Sequence, residues 1–381
     1  MRLIAAFALL ALIPQEEKTF KIDDFEGELA GWTLFKLEGG AIAEDGESKI
    51  AVVKDGAKAG KGALAYTHEV TAGVIRVLGR QGEIDLSGMK SLRFWVKSSA
   101  ATAVVVSLTE RNGAGYQAAF SVGTGAWQEV AVNLDEFAAD DPAKDDNGKL
   151  DLDQIASFHL FDFAGFLAAL VPDTKGTRTL GLDDVRFSSK PVPFTTGFTS
   201  ATKVVPVHLV DNFESPVIRW SPLSVEFGDA LKINLYDAPV AVDTLAPPTG
   251  GKQALKFSYP RKAAKAHAIM RSVEKIKLDK AASLELWLRV SHDGTYIVNL
   301  EEKDGSRYDK VVELRAADGW TAFAAAFGEF ALAQDSQDEN GRLDGAEIKQ
   351  IVVADATALL GGAAADEVRL WIDEVRFILS P

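Results

Sequence analysis

Cysteine is absent from this sequence, which removes disulfides, thiolate catalysis and cysteine-held metal or iron-sulfur sites. Positive charge is in short supply: 41 Lys and Arg stand against 55 Asp and Glu, a formal net charge of -14. A nucleic-acid backbone or an anionic membrane surface needs a positive patch, so no nucleic-acid partner is expected, whereas neutral or cationic partners fit. The five histidines, His68, His159, His208, His267 and His292, fall in no paired metal-ligand spacing. There is no Gly-x-Ser-x-Gly elbow and no glycine-rich phosphate loop after a first strand, which leaves hydrolase-triad and dinucleotide readings unsupported and no organic cofactor expected. Long apolar runs are missing as well. The stretch Leu3 to Ile13 is too short to span a bilayer, so no transmembrane anchor is expected. It follows Arg2 and precedes the polar Gln15-Glu16-Glu17-Lys18, the order of a secretory signal. Residues 1–19 are therefore read as a signal peptide with a short N-terminal segment, and the protein as secreted or periplasmic.

What is present is a chain of 381 residues, 47% hydrophobic and 25% charged, the balance of a folded globular protein. The chain repeats itself. Ile22-Asp23-Asp24-Phe25-Glu26 returns as Val210-Asp211-Asn212-Phe213-Glu214, and Ser91-Leu92-Arg93-Phe94-Trp95-Val96-Lys97 as Ser283-Leu284-Glu285-Leu286-Trp287-Leu288-Arg289. Asp145-Asp146-Asn147-Gly148 matches Asp338-Glu339-Asn340-Gly341, and Leu182-Asp183-Asp184-Val185 matches Ile372-Asp373-Glu374-Val375. Six of the seven tryptophans pair across the copies; Trp371 stands alone, opposite Gly181. None of the histidines pairs. A repeat of this length is a duplicated domain, with copies at 20–189 and 208–381 and a semi-stiff linker at 190–207 beginning Lys190-Pro191-Val192-Pro193.

Within each copy the period is two: Leu92, Phe94 and Val96 alternate with Arg93, Trp95 and Lys97. Many short strands between Gly- and Asp-rich turns, with no long helical stripe, predict an all-β chain of two tandem jelly-roll β-sandwich domains.

These residues resemble galactose-binding-domain-like sandwiches, particularly family 11 carbohydrate-binding modules and the modules named after the complex I intermediate-associated protein of 30 kDa. The likeness rests on the opening Asp23 to Glu26 with Trp32, the Leu-x-Phe-Trp-Val-Lys strand, the Trp127 to Phe137 strand and the closing Leu182 to Val185. It implies non-catalytic binding of a polysaccharide or glycan. It also implies a structural calcium where first and last strands meet, held by Asp23, Glu26 and Asp183 in one copy and by Asp211, Glu214 and Asp373 in the other.

Sugar rings stack on flat aromatic surfaces flanked by polar groups. By alternation Trp95 and Trp287 point away from the core face, with Lys97 and Arg289 two residues on. Tyr116 and Tyr308 are paired across the copies and complete the expected ligand set, whereas Trp127 and Trp320 are expected in the core. The Asp-Asn-Gly loops read as turns, since Ala143 and Ser336 stand where an EF-hand needs its first aspartate, although Asp338, Asn340, Asp344 and Glu347 offer oxygens to a weak ion. Two alternatives stay open. One is a structural or protein-interaction module, for which a covered Trp95 and Trp287 would speak. The other is a glycan-active enzyme, which would need a cleft with two close carboxylates.

Overall fold

Period-two alternation becomes strands whose apolar side chains all turn to one interior. In Ser91–Ser98, Leu92, Phe94 and Val96 are buried while Arg93, Trp95 and Lys97 are half-buried on the other face. The computed structural model describes residues 17–29, 31–145, 147–170, 176–192, 207–215, 217–228, 231–245 and 251–380. The apolar run Leu3 to Ile13 and most of the expected linker lie outside the described residues.

The strands form four antiparallel sheets, two per module. In the first module a six-stranded sheet runs Gln128–Asn133, Ser91–Ser98, Gly176–Ser188, Ala63–Val70, Lys49–Val53, with Thr19–Asp23 also paired to Gly176–Ser188. Facing it is a seven-stranded sheet ordered Ala138–Ala139, Gly115–Val122, Thr102–Glu110, Ile155–Asp162, Val74–Ile84, Trp32–Glu38, Ala41–Glu44. The second module repeats this plan. Its six-stranded sheet runs Val240–Asp243, Ala254–Arg261, Ala365–Leu379, Ala281–Val290, Thr321–Ala326, with Val207–Asp211 on Ala365–Leu379. Its seven-stranded sheet runs Lys232–Leu235, Ser221–Glu226, Lys265–Ser272, Ile348–Asp355, Gly294–Glu302, Arg307–Leu314, Ala331–Leu332. Each interior is a separate apolar cluster, one around Phe94, Phe158 and Phe187 and the other around Phe257, Trp220 and Phe377. Burying each such side chain contributes about 1.5–3 kcal/mol, so the two interiors account for the fold.

The repeated acidic motifs are backbone devices. Asp23 Oδ1 accepts from the Phe25 amide at 2.8 Å, and Asp211 Oδ1 from that of Phe213 at 3.0 Å. These short loops hold both phenylalanines at φ 56, where an unsupported bulky residue is strained. In the last strand, Asp184 and Glu374 sit at φ 49, where the register slips between Asp183 and Arg186 and between Glu285 and Trp287 on the partner strand. Such a bulge re-aims the side chains around it. It leaves Asp183 and Asp373 fully enclosed.

The modules are packed together at the start of the second one. Ser121 donates its amide to Ile218 O at 2.7 Å and its hydroxyl to Trp220 O at 2.8 Å. Val217 belongs to the first module's apolar cluster, and Arg219 pairs with Glu136. A packed seam at Val217 to Trp220 thus joins the two sandwiches.

Candidate functional site

The expected ligand set is split across two sheets. Trp95 and Lys97 lie on the six-stranded sheet; Tyr116 lies on the seven-stranded one, opposite Leu108 on its inner side. Tyr116 and Tyr308 are each 2% exposed, and their hydroxyls donate to Asp145 and Asp338. Both tyrosines are core residues with a polar tip and cannot stack on a ligand, which corrects the expectation. Alternation told inside from outside only relative to each strand's own neighbours, and here the inner parity falls on the tyrosines.

Trp95 is half-buried with the Lys58 Nζ 4.4 Å from its ring centroid. Next to it, Trp127 is half-buried rather than core. Its Nε1 donates to Gly56 O at 2.8 Å, and Lys97 Nζ lies 5.0 Å over its ring. Gly181 makes room for this pair, since a Cβ there would stand 3.0 Å from Trp127 Cη2 and 3.1 Å from Lys97 Cγ. In the second module Trp371 occupies that position, donating to Asp243 Oδ2 at 3.0 Å with the Arg289 guanidinium 5.8 Å above it. Trp287 is half-buried on the same face, as is Trp320, which was also expected in the core. Cation–π contacts are worth about 0.5–1 kcal/mol at exposed sites, so the lysines compete with a sugar for the ring faces without sealing them.

The outer face of the first module's seven-stranded sheet carries a second aromatic surface that alternation alone had not singled out. Leu78, Phe158 and Leu160 point into the core, so Gly79, His159 and Phe161 point out. Thr33, Gly79 and His159 are aligned across three strands. Phe35 and the His159 imidazole meet edge to face at 5.3 Å, and Gln81 Nε2 lies 3.4 Å from His159 Nε2. Gly79 is what lets them meet: a Cβ there would be 2.8 Å from Phe35 Cε1 and 3.0 Å from His159 Cδ2. Burial lowers the His159 pKa, which favours the neutral ring. In the second module the same row reads Ser221, Met270 and Val352, with Leu223 where Phe35 stands. The sequence signal was there in Gly79 and His159, at the positions where the copies disagree.

The acidic terminal motifs come together in both modules. Asp183 Oδ2 accepts from the amides of Lys58 and Ala59, both at 2.7 Å, whereas Asp183 Oδ1 is buried with no partner. In the second module Asp373 Oδ1 accepts from the Glu374 amide at 2.8 Å and Oδ2 is the buried, unpartnered oxygen. Burial first, then neighbouring Glu26 and Asp24, pushes the Asp183 pKa up; burial first, then Glu374, Glu214 and Asp211, pushes Asp373 to about 8. Glu26 caps the Lys61 and Gly62 amides at 2.6 and 2.9 Å, and Glu214 caps those of Lys252 and Gln253. Asp23 and Asp211 play a different part from the ligand role expected of them. Asp23 also accepts from Trp32 Nε1 and Arg80, both at 2.8 Å, and Asp211 from Trp220 Nε1 at 3.2 Å, so their oxygens are already engaged in holding the opening turn. An orphaned buried carboxylate oxygen with further carboxylates around it fits a hard divalent cation.

A further acidic group in the second module is able to chelate a metal ion: one carboxylate oxygen each from Glu302, Asp304 and Asp338 lie within 4.8 Å of one another. Glu302 is buried, Asp338 half-buried and Asp304 exposed.

Residues 12–174 match the family model described as carbohydrate binding domain (family 11). The chain is built of two β-sandwich modules, and this match covers the first of them. Among solved structures the chain is similar to the family 11 module from Clostridium thermocellum in complex with a β-1,3-1,4-mixed-linked tetrasaccharide, at 20% identity over 45% of this chain and 94% of that one, TM-score 0.34. It is similar along 95% of its length to 96% of the tandem CBM22-1-CBM22-2 domain from Paenibacillus barcinonensis Xyn10C, at 15% identity and TM-score 0.32. No curated protein matches the chain.

Proposed function

We propose that this is an exported, non-catalytic carbohydrate-binding protein whose first module stacks sugar rings on the outward Phe35, His159 and Phe161 surface. The observation that carries this reading is the edge-to-face Phe35 and His159 pair seated over Gly79, with Gln81 beside it. The exposed parts of these aromatic rings supply apolar burial for a pyranose face, while an amide and a neutral imidazole supply both donors and acceptors for its hydroxyls. Two covalently joined modules, at 20–189 and 208–381, raise avidity only if both carry a site. A second stacking surface is kept for the Trp95, Trp127 and Lys97 face and for Trp287 with Arg289 in the second module, because each of these is half-buried; Trp371 beside them is buried.

Structural calcium belongs to this reading, with Glu26 and Asp183 as ligands in the first module and Glu214 and Asp373 in the second. The ion would supply the missing partner of the two orphaned oxygens and tie the closing strand to the loops beside it. Export is supported by Arg2 and the apolar run Leu3 to Ile13, and a secreted or periplasmic location follows. A protein partner is favoured for the second module by its aliphatic outer face of Leu223, Met270 and Val352.

The test is a panel of soluble glycans, mixed-linkage β-glucan and xylan among them, titrated against the mature protein with and without calcium. Binding that falls in Phe35→Ala and His159→Ala and persists in Trp95→Ala and Trp287→Ala supports the first surface. The reverse pattern moves the site to the tryptophan face, and no binding to any glycan overturns the reading.

A further inference from the structure

The seam sets one aromatic ring of the second module at the border of the first module's outer face. Phe120 and Val122 belong to the first core, so Ala119 and Ser121 point out, onto the face that carries His159 and Phe161. Phe161 is aligned with Val105 and Val105 with Ala119, while Ser121 is aligned with Ala103 one step along. Ser121 is buried, because the second module begins against it: its amide donates to Ile218 O and its hydroxyl to Trp220 O. Tyr236 reaches the same place. Its hydroxyl shares a hydrogen bond of 2.9 Å with Ser221 Oγ, and burial raises its pKa while the Ser221 and Ser121 hydroxyls offset part of that rise.

The backbone is strained to put that ring there. Tyr236 has φ 57, a conformation that a bulky side chain rarely adopts. Its amide donates to Pro222 O at 2.9 Å, as the Asp45 amide of the first module donates to Leu34 O at 3.1 Å, so the two residues are counterparts. Asp45 has no such φ, and its carboxylate is occupied by Arg76, whose own counterpart is His267. Tyr236 is no part of the second module's apolar cluster, so packing does not ask for the strained turn. The ring remains half-buried. A strained residue that its own core does not need points to a task at the surface.

We propose that Tyr236 of the second module is a sugar-contacting residue of the first module's face, which makes the site a groove completed across the seam, suited to an extended run of a glycan chain rather than to one terminal ring. This rests on the carbohydrate reading of Phe35, His159 and Phe161. From Trp32–Glu38 to Gly115–Val122 the face crosses five strands, a span of about 19 Å at the ordinary spacing of strands. Phe35 lies at one end of that span and Tyr236 at the other, with the short side chains of Val105 and Ala119 between them and Phe161 midway. The second module thereby takes part in binding without an aromatic sheet face of its own, and the packed seam is what keeps its ring in register with the first module's strands.

Soluble β-glucan and xylan oligosaccharides, from disaccharide to hexasaccharide, titrated calorimetrically into the whole chain test this. Affinity is expected to rise with length in the wild type. Tyr236→Asn removes the ring with a residue that accepts a positive φ, and is expected to weaken the longest oligosaccharide about tenfold while leaving the shortest unchanged. Tyr236→Phe keeps the ring and should bind as the wild type does, whereas Phe35→Ala should weaken every length. Ala119→Arg, at an exposed position on the floor, should remove the same gain with length and decides the matter if Tyr236→Asn does not fold. Wild-type affinity of these two variants at every length, or a loss by the same factor at every length, overturns the inference and leaves the carbohydrate reading standing. No binding of any oligosaccharide by the wild type overturns that reading, and this inference with it.

Discussion

Two sandwiches with the same strand order present different outer faces on their seven-stranded sheets. The row Thr33, Gly79, His159 of the first module is Ser221, Met270, Val352 in the second, and Leu223 stands where Phe35 does. The inner faces barely differ in kind: Phe158 and Leu160 correspond to Ile351 and Val353, all buried. Interior positions are held by packing density, which punishes a change of even one methylene, whereas an outward position answers only to what it touches. The duplication therefore kept a scaffold and let one surface become aromatic and polar while the other became aliphatic.

The most disruptive way to break this contrast is Gly79→Met, which copies the second module's residue into the first. Its side chain must displace Phe35 and His159, so glycan binding is expected to vanish in affinity electrophoresis while the far-ultraviolet spectrum stays that of a β protein. Phe35→Ala removes half of the stacking surface without blocking the site. A loss of about 1.4 kcal/mol or more, tenfold in Kd, is expected by calorimetry.

Acid-base behaviour sharpens the comparison at the terminal sites. The Asp373 carboxyl titrates at about 8 in the metal-free fold, far above its ordinary value, with burial the main cause. Folded protein then holds a proton that the unfolded chain has released, so stability is full below about pH 4 and falls as pH rises towards 8. Metal-free protein should accordingly melt at lower temperature at pH 8 than at pH 5.5, and calcium should remove most of the difference. Asp373→Asn should melt higher than wild type at pH 8 without calcium, and lose the calcium response of the second module.

The smallest effect is expected at the seam. Arg219→Ala deletes a partly buried ion pair with Glu136 and should cost about 1 kcal/mol or less in thermal unfolding, while loosening the modules' relative orientation in small-angle scattering.

Much of the fold was legible because duplication writes its scaffold twice. The strand around Phe94 and Leu286, the turn at Asp23 and Asp211 and the bulge at Asp183 and Asp373 each recur, and each builds backbone. The site was less legible for the same reason. Tyr116 and Tyr308 recur because they fill the core and anchor a loop, so agreement between copies pointed to packing and not to a ligand. Gly79 and His159 were passed over because their partners differ. Their meaning needs the strand register, which one sequence does not print.

The central claim is that one scaffold carries one sugar face. Calorimetric titration of the whole chain with a soluble oligosaccharide that it binds measures the number of sites directly. One site per chain, abolished by Gly79→Met, is the predicted result. Two sites per chain, or binding that survives Gly79→Met, would contradict it.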